Sequence, residues 1–218
     1  MALIKHKSAT VPDVHRNSAK KDRRVIRTSR KIDAAFVALL GRRAYGNIRV
    51  SDITKKAGVG RATFYAHYSS KDDLLSSQFR RIVAPMLVAQ RHDSCPLEAT
   101  ALFAHVTTSP QIYRALMGPD AGRAPRILRE CIEQRVRQAL PERASRTRAD
   151  SFDIQNVIAM RFVATSLLAV IECWVESKAC EPPQGLHAIF SKLVGGGLAL
   201  LATQDPKMPP GHGAGSHF

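Results

Sequence analysis

Between positions 61 and 71 stand Arg61, Thr63, Tyr65, His67 and Lys71, five hydrogen-bond donors with no acid before Asp72. No catalytic motif accompanies them, so the chemistry they suit is recognition. A guanidinium can pair bidentately with guanine O6 and N7, and hydroxyl, phenol and imidazole groups can reach phosphate oxygens. Arg61 is the residue best placed to contact a base.

The elements that must hold these donors are short. Val50, Ile53 and Ala57 lie three and four apart, one face of a helix over residues 50–57. Gly58-Val59-Gly60 breaks the pattern where the backbone must turn. A second helix is predicted over 61–68, with Phe64 and Tyr68 facing inward. Ser69 or Ser70 can cap the next helix, with Asp72 or Asp73 completing a capping box. This is the layout of a helix-turn-helix, whose second helix enters the major groove. A plain helical hairpin would share the spacing; the donors favour the DNA reader.

The residues DITKKAGV (52–59), TFYAHY (63–68) and SKDDLL (70–75) resemble the DNA-binding domain of the TetR/AcrR family of transcriptional regulators. The likeness runs without a gap over 29–75; beyond it only the helical plan agrees. It implies an all-α fold: an N-terminal three-helix helix-turn-helix domain and a larger C-terminal helical domain for ligand binding and dimerisation. Carried over by position, Gly60, Arg61, Ala62 and Thr63 would contact bases and groove. Ser51, Tyr65 and His67 would touch phosphate, and Lys71 matches the family's lysine at the start of the fourth helix. Arg49 stands where a capping threonine is common; it loses the cap and adds a cation near the DNA backbone.

The resemblance further implies a two-fold homodimer through the last two long helices and a roughly palindromic operator in double-stranded DNA. An internal pocket would take a small-molecule ligand that shifts the dimer between bound and released states. Phe103, His105, Tyr113, Met117, Phe162, Ser166 and Trp174 are its candidate lining. Each is also an ordinary core or surface residue by type.

Charge agrees with a polyanion partner. Residues 1–80 hold 18 Lys and Arg against 6 Asp and Glu, while the remainder is nearly balanced within a net charge of +15. The four cysteines, Cys95, Cys131, Cys173 and Cys180, have no zinc spacing, so neither metal nor cofactor is expected. Cys173 and Cys180 read as buried small apolar residues. The most apolar run, 162–171, lies between Arg161 and Glu172 and is too short to span a bilayer. With no signal peptide read, a cytoplasmic, nucleoid-associated protein without membrane contact is expected.

Along the chain, residues 1–27 read as a basic flexible arm. A solvated tail and a DNA-contacting arm both remain open for it. Residues 28–75 form the helix-turn-helix domain, beginning with a helix over 28–42 capped by Thr28 or Ser29. Its stripe is Ile32, Ala35, Phe36, Leu39 and Leu40. Residues 76–203 form the second domain. It is entered by a long helix over 71–91 that Pro85 should kink near Ile82. Helices follow near 96–107, 110–117, 125–139, 151–180 and 184–201. The fourth of these, 151–180, is apolar nearly all round, so it should serve both a core and a partner. Gly195-Gly196-Gly197 in the last suggests that a helix backbone passes close, or else a local break. Residues 204–218 read as a disordered tail.

These features favour a ligand-released homodimeric repressor. A ligand-independent adaptor or activator that recruits a protein partner is the alternative. A cysteine enzyme using Cys131 or Cys173 is disfavoured, since no histidine lies near either in sequence.

Overall fold

The apolar stripe read at 32–40 is buried along its length, and the first helix forms around it. The computed structural model describes residues 14–90, 95–139, 154–177 and 181–203. Helix α1 spans Val14–Leu40, α2 Val50–Ala57, α3 Arg61–Tyr65 and α4 Lys71–Gln78. Five more follow: α5 Thr100–Thr108, α6 Pro110–Met117, α7 Ala124–Ala139, α8 Ile154–Ser177 and α9 Pro183–Thr203. Two short strands, β1 Val88–Ala89 and β2 Leu97–Glu98, pair antiparallel.

The helix start expected at 28 is corrected. No proline or glycine occurs between positions 14 and 40, so nothing stops the helix extending back to Val14. Thr28 does not cap; its hydroxyl donates to the Arg24 carbonyl at 2.9 Å, as a threonine inside a helix does. The arm's residues 1–13, the tail 204–218 and Cys180 lie outside the described residues.

In the head, Ile32, Phe36, Ile53, Phe64 and Leu74 are fully buried against one another. Gly58 closes α2 in the left-handed region at φ 64°, which glycine adopts without a Cβ clash. Ser70 caps α4 by accepting the Asp73 N–H at 3.0 Å, and the Asp73 carboxylate accepts the Ser69 N–H at 2.9 Å. The recognition helix is shorter than expected, ending at Tyr65, with Ala66–Ser69 forming the turn into α4.

The long helix expected over 71–91 is three pieces. After Gln78 the backbone widens into a π turn, Phe79–Val83, then tightens into a 3-10 turn, Ala84–Met86. Pro85 has no N–H to give, so the helical ladder cannot continue through it, and Leu87 is extended. The expected bend near Ile82 is this π segment. Leu75 and Phe79 belong to the same buried cluster as the body's Leu102 and Phe103. Pro96 sits in the turn before β2 instead of opening a helix, so α5 starts at Thr100.

In the body α8 packs on α6, α7 and α9, while α5 packs on α9. Length and composition alone would let the 24-residue α8 cross a membrane, because the helix runs past both charges that bound its apolar run. Its buried face, from Met160 to Val175, forms the body's core, and Arg161 pairs with Glu133 of α7 at 3.3 Å. Burial is one-sided, however: Ile154 and Ile158 are exposed, as are Ile189 and Leu193 of α9. Cys173 is exposed as well, not buried as expected. The triple glycine does not break α9. A Cβ on Gly197 would come within 2.6 Å of the Phe162 ring, so a side chain of α8 fills that gap.

Candidate functional site

Burial of Phe64 and Tyr68 fixes how α3 faces. With those rings turned inward, Arg61, Ala62, Thr63 and Tyr65 lie exposed on the opposite side. Gly60 caps the helix and is exposed, so the residues assigned to bases share one open surface. Tyr65 is held edge-on to Phe64, with ring centroids 5.4 Å apart and most of its ring in solvent. Ser51, at the start of α2, and His67 are half-buried at the margins of this surface. Arg49 is exposed as the N-cap of α2. Its backbone N–H donates to Asp52 at 2.9 Å, the acid's half of a capping box, while the arginine side chain accepts no bond from the helix start.

Lys71 folds back onto the head. Its ammonium donates to the carbonyls of Tyr45 at 2.8 Å and Ile48 at 2.7 Å, and it lies 4.1 Å from the centre of the Tyr45 ring. Burial holds it below the usual lysine range. Two of its three donors are committed to tying α4 to the turn before α2. The sequence could not show this, because the acceptors are backbone atoms more than twenty residues away.

A polar network lies behind the recognition segment. Tyr68 donates to the buried carboxylate of Asp33 at 2.7 Å and meets the Ser29 hydroxyl at 3.0 Å. Asp33 in turn pairs with Arg81 of the π turn at 2.6 Å. Arg81 also donates to the Gln78 Oε1 at 3.1 Å. A second junction joins head to body: Tyr45 donates to Asp72 at 2.5 Å, and Asp72 pairs with Arg123 at 3.1 Å. Burial first, then this carboxylate bond, keeps the Tyr45 phenol protonated. Beside it the Gly46 N–H donates to the Asp120 carbonyl at 2.9 Å; a Cβ on Gly46 would sit 2.5 Å from that oxygen.

The seven candidate pocket residues separate into three places. His105, Tyr113 and Met117 line a cavity of about 120 Å³. Phe103 does not; it is fully buried between α5 and α9, with its ring 6.3 Å from that of Phe190. Phe162, Ser166 and Trp174 line an open groove on the outer side of α8 and α9, beside Ile189 and Leu193. Periodicity placed them on α8 but could not say which of its two apolar sides the body covers. Missing from the candidates were Phe36, Val37 and Leu40 of α1 and Leu75, Gln78 and Phe79 around the end of α4, all in the cavity wall. The cavity therefore lies between head and body. One signal was legible: Gln78 follows Leu74 by four and precedes Ile82 by four, a polar residue on an apolar face.

Inside it, His105 Nδ1 and the Tyr113 hydroxyl are 2.7 Å apart. Burial lowers the imidazole's affinity for a proton and raises the phenol's. Both groups are thus neutral near pH 7. Cys131 is pushed up by burial, the reverse of an activated nucleophile. Among the described residues no group of three or more His, Cys, Asp or Glu side chains is placed to hold a metal.

Residues 32–77, the helices just described as the head, match the model of "Bacterial regulatory proteins, tetR family". YxbF of Bacillus subtilis (strain 168), named an HTH-type transcriptional regulator, is 38% identical over 78 residues. The head of this chain belongs to the TetR family. The YxbF match covers 35% of this chain and 20% of that protein. Another regulator so named, Rv0767c of Mycobacterium tuberculosis (strain ATCC 25618 / H37Rv), is 27% identical over 135 residues. That match covers 58% of this chain and 63% of the relative, so the chain spans less than two thirds of either curated protein. Beyond the head the fold agrees as well. A TetR transcriptional regulator from Streptococcus agalactiae 2603V superposes with a TM-score of 0.56 at 22% identity, over 81% of this chain and 98% of that one. The TetR-family fold expected from sequence, a helix-turn-helix domain followed by a helical domain, is the one observed.

Proposed function

We propose that this TetR-family protein is a cytoplasmic, DNA-binding transcriptional regulator. It acts as a homodimeric repressor on a palindromic operator and is released by a small molecule in the cavity between head and body. The observation that carries the DNA half is the exposed row Arg61, Ala62, Thr63 and Tyr65 on a helix whose other side is locked by Phe64 and Tyr68. Arg61 reads a base, while Ser51, Tyr65, His67 and the exposed Arg49 serve the phosphates. Lys71 has at most one donor left for that purpose.

The outward apolar face of α8 and α9, with Ile158, Ile189 and Leu193 exposed, supports the homodimer. A two-fold dimer presents two α3 helices about one helical turn of DNA apart, or a longer spacing on the same face. The cavity supports release by a ligand over a ligand-independent adaptor. Its wall includes α1 and α4 of the head, so what fills it meets the DNA-binding unit directly.

Selection of bound sequences from random duplex DNA, at two salt concentrations, tests this reading. A palindromic motif with a steep salt slope is expected. Arg61→Ala should weaken the selected site by about 1–3 kcal/mol and relax one base position in each half. Salt-sensitive binding without an enriched motif would reduce the protein to a non-specific polyanion binder.

A further inference from the structure

Gln78 is 7% exposed, and its two amide atoms have different fates. Arg81 donates to its Oε1 at 3.1 Å. A guanidinium has no acceptor, so the oxygen must be the atom on that side and the amide cannot be turned over. The Nε2 is left buried, with no hydrogen-bond partner among the described residues. Such a donor, cut off from water, is costly unless something meets it.

The surroundings specify what that something is. Gln78, His105 and Tyr113 are the polar residues of the cavity wall, and every other lining residue is apolar. His105 and Tyr113 are occupied with each other at 2.7 Å. No lysine, arginine or carboxylate borders the space, so a charged ligand would arrive without a counter-ion and lose its hydration. At about 120 Å³ the cavity is somewhat smaller than an apolar cavity of roughly 150 Å³ that takes up benzene, which limits the ligand to about five or six non-hydrogen atoms.

We propose that Gln78 is the ligand-reading residue of this cavity, its Nε2 donating to the acceptor oxygen of a small, uncharged, ring-sized apolar molecule such as a cyclic ketone. This rests on the cavity being the ligand site of the proposed regulator. The same amide keeps its Oε1 on Arg81, which pairs with Asp33, the acceptor of Tyr68 just beyond the recognition helix. Ligand oxygen and DNA-facing helix are thus the two ends of one polar chain, and the π turn carrying Arg81 is its middle. A ligand that bound without touching Nε2 would fill the cavity and leave this chain unaltered.

The test uses the full chain without DNA, titrated calorimetrically with cyclopentanone and with methylenecyclopentane, which has nearly the same shape and no oxygen. Cyclopropanecarboxylate, with the same six non-hydrogen atoms, serves as the charged probe and is expected not to bind. In Gln78→Met the preference for ketone over hydrocarbon should fall about tenfold, while hydrocarbon affinity stays within about threefold of the parent. Gln78→Glu keeps an oxygen for Arg81 and replaces the donor by an acceptor, so it should lower the preference further. A purely structural glutamine would weaken both ligands alike. An unchanged preference in both variants, with both ligands still bound, would overturn the role of Gln78 and leave the cavity as the ligand site. Failure of both ligands to bind the parent protein would overturn the ligand site and this assignment together. Tight binding of the carboxylate would overturn the neutral class.

Discussion

The head and its junction with the body bury their polar groups in opposite ways. In the head, Asp33, Tyr68, Arg81, Tyr45, Asp72 and Lys71 are joined to one another or to backbone carbonyls across elements far apart in sequence. At the junction, Gln78 of α4 and His105 and Tyr113 of the body face a cavity whose other walls are apolar, and Gln78 keeps an unmet donor. Satisfied polar networks demand particular geometry, and so fix one arrangement. An apolar cavity accepts whatever fits its shape. The contrast suits the regulator proposed above, in which the recognition helix keeps one orientation while the interior responds to a guest.

If that contrast is right, the head should fail sharply when one network member is removed. Asp33→Ala strips the acceptor from Tyr68 and the partner from Arg81. Losing one member of a fully buried pair costs about 3–5 kcal/mol, but the Arg81 side chain is 50% exposed and can turn to water, so about 2–3 kcal/mol is expected. Urea denaturation would measure it. Asp33→Asn, which keeps an oxygen for Tyr68, should recover about half. A loss below about 0.5 kcal/mol in both would mean that the network does not hold the head.

Lys71→Met is next in size and decides between two roles. It keeps the aliphatic stem, leaves the Tyr45 and Ile48 carbonyls without their donor, and removes the cation over the Tyr45 ring. A stability loss of about 2 kcal/mol is expected, with the salt slope of DNA binding nearly unchanged. Unaltered stability with a slope reduced by about one would return Lys71 to the phosphates.

The same contrast explains what could be read from sequence. The turn at Gly58, the cap at Ser70 and the buried stripe from Ile32 to Leu40 are local, each written within a few residues. Helix α6 was located at 110–117 by its opening proline for the same reason. The partners of Lys71 were not readable, because donors near a DNA surface look alike whether they point outward or fold back. Nor was the cavity. The residues that wall it from the head side, Phe36 and Leu40, satisfy the helical stripe equally well as plain core. Helix α8 is apolar on two sides, and only the packing of α6, α7 and α9 shows which side is inside. Residues 14–27 looked irregular because a helix made largely of charged residues has little apolar periodicity.

The smallest expected effect lies in the body and concerns acid. Burial lowers the His105 pKa in the folded state below its ordinary value of about 6.5. The unfolded chain then takes up a proton as pH falls through about 6.5, while the folded chain does not until lower pH. The unfolded state binds more protons in that window, so stability declines as pH falls from about 6.5 toward the folded value and levels off below it. No charged side chain borders the cavity to offset this. Melting temperatures from pH 7.5 to 5 should show the decline, and His105→Gln, which cannot titrate, should flatten part of it. Because the imidazole is only half-buried, the change should be smaller than that from either head substitution. If the parent became more stable on acidification and lost that gain with His105→Gln, the folded state would be holding the proton on the imidazole. The body would then contain a charged polar centre, as the head does, and the opposition between the two regions would not hold.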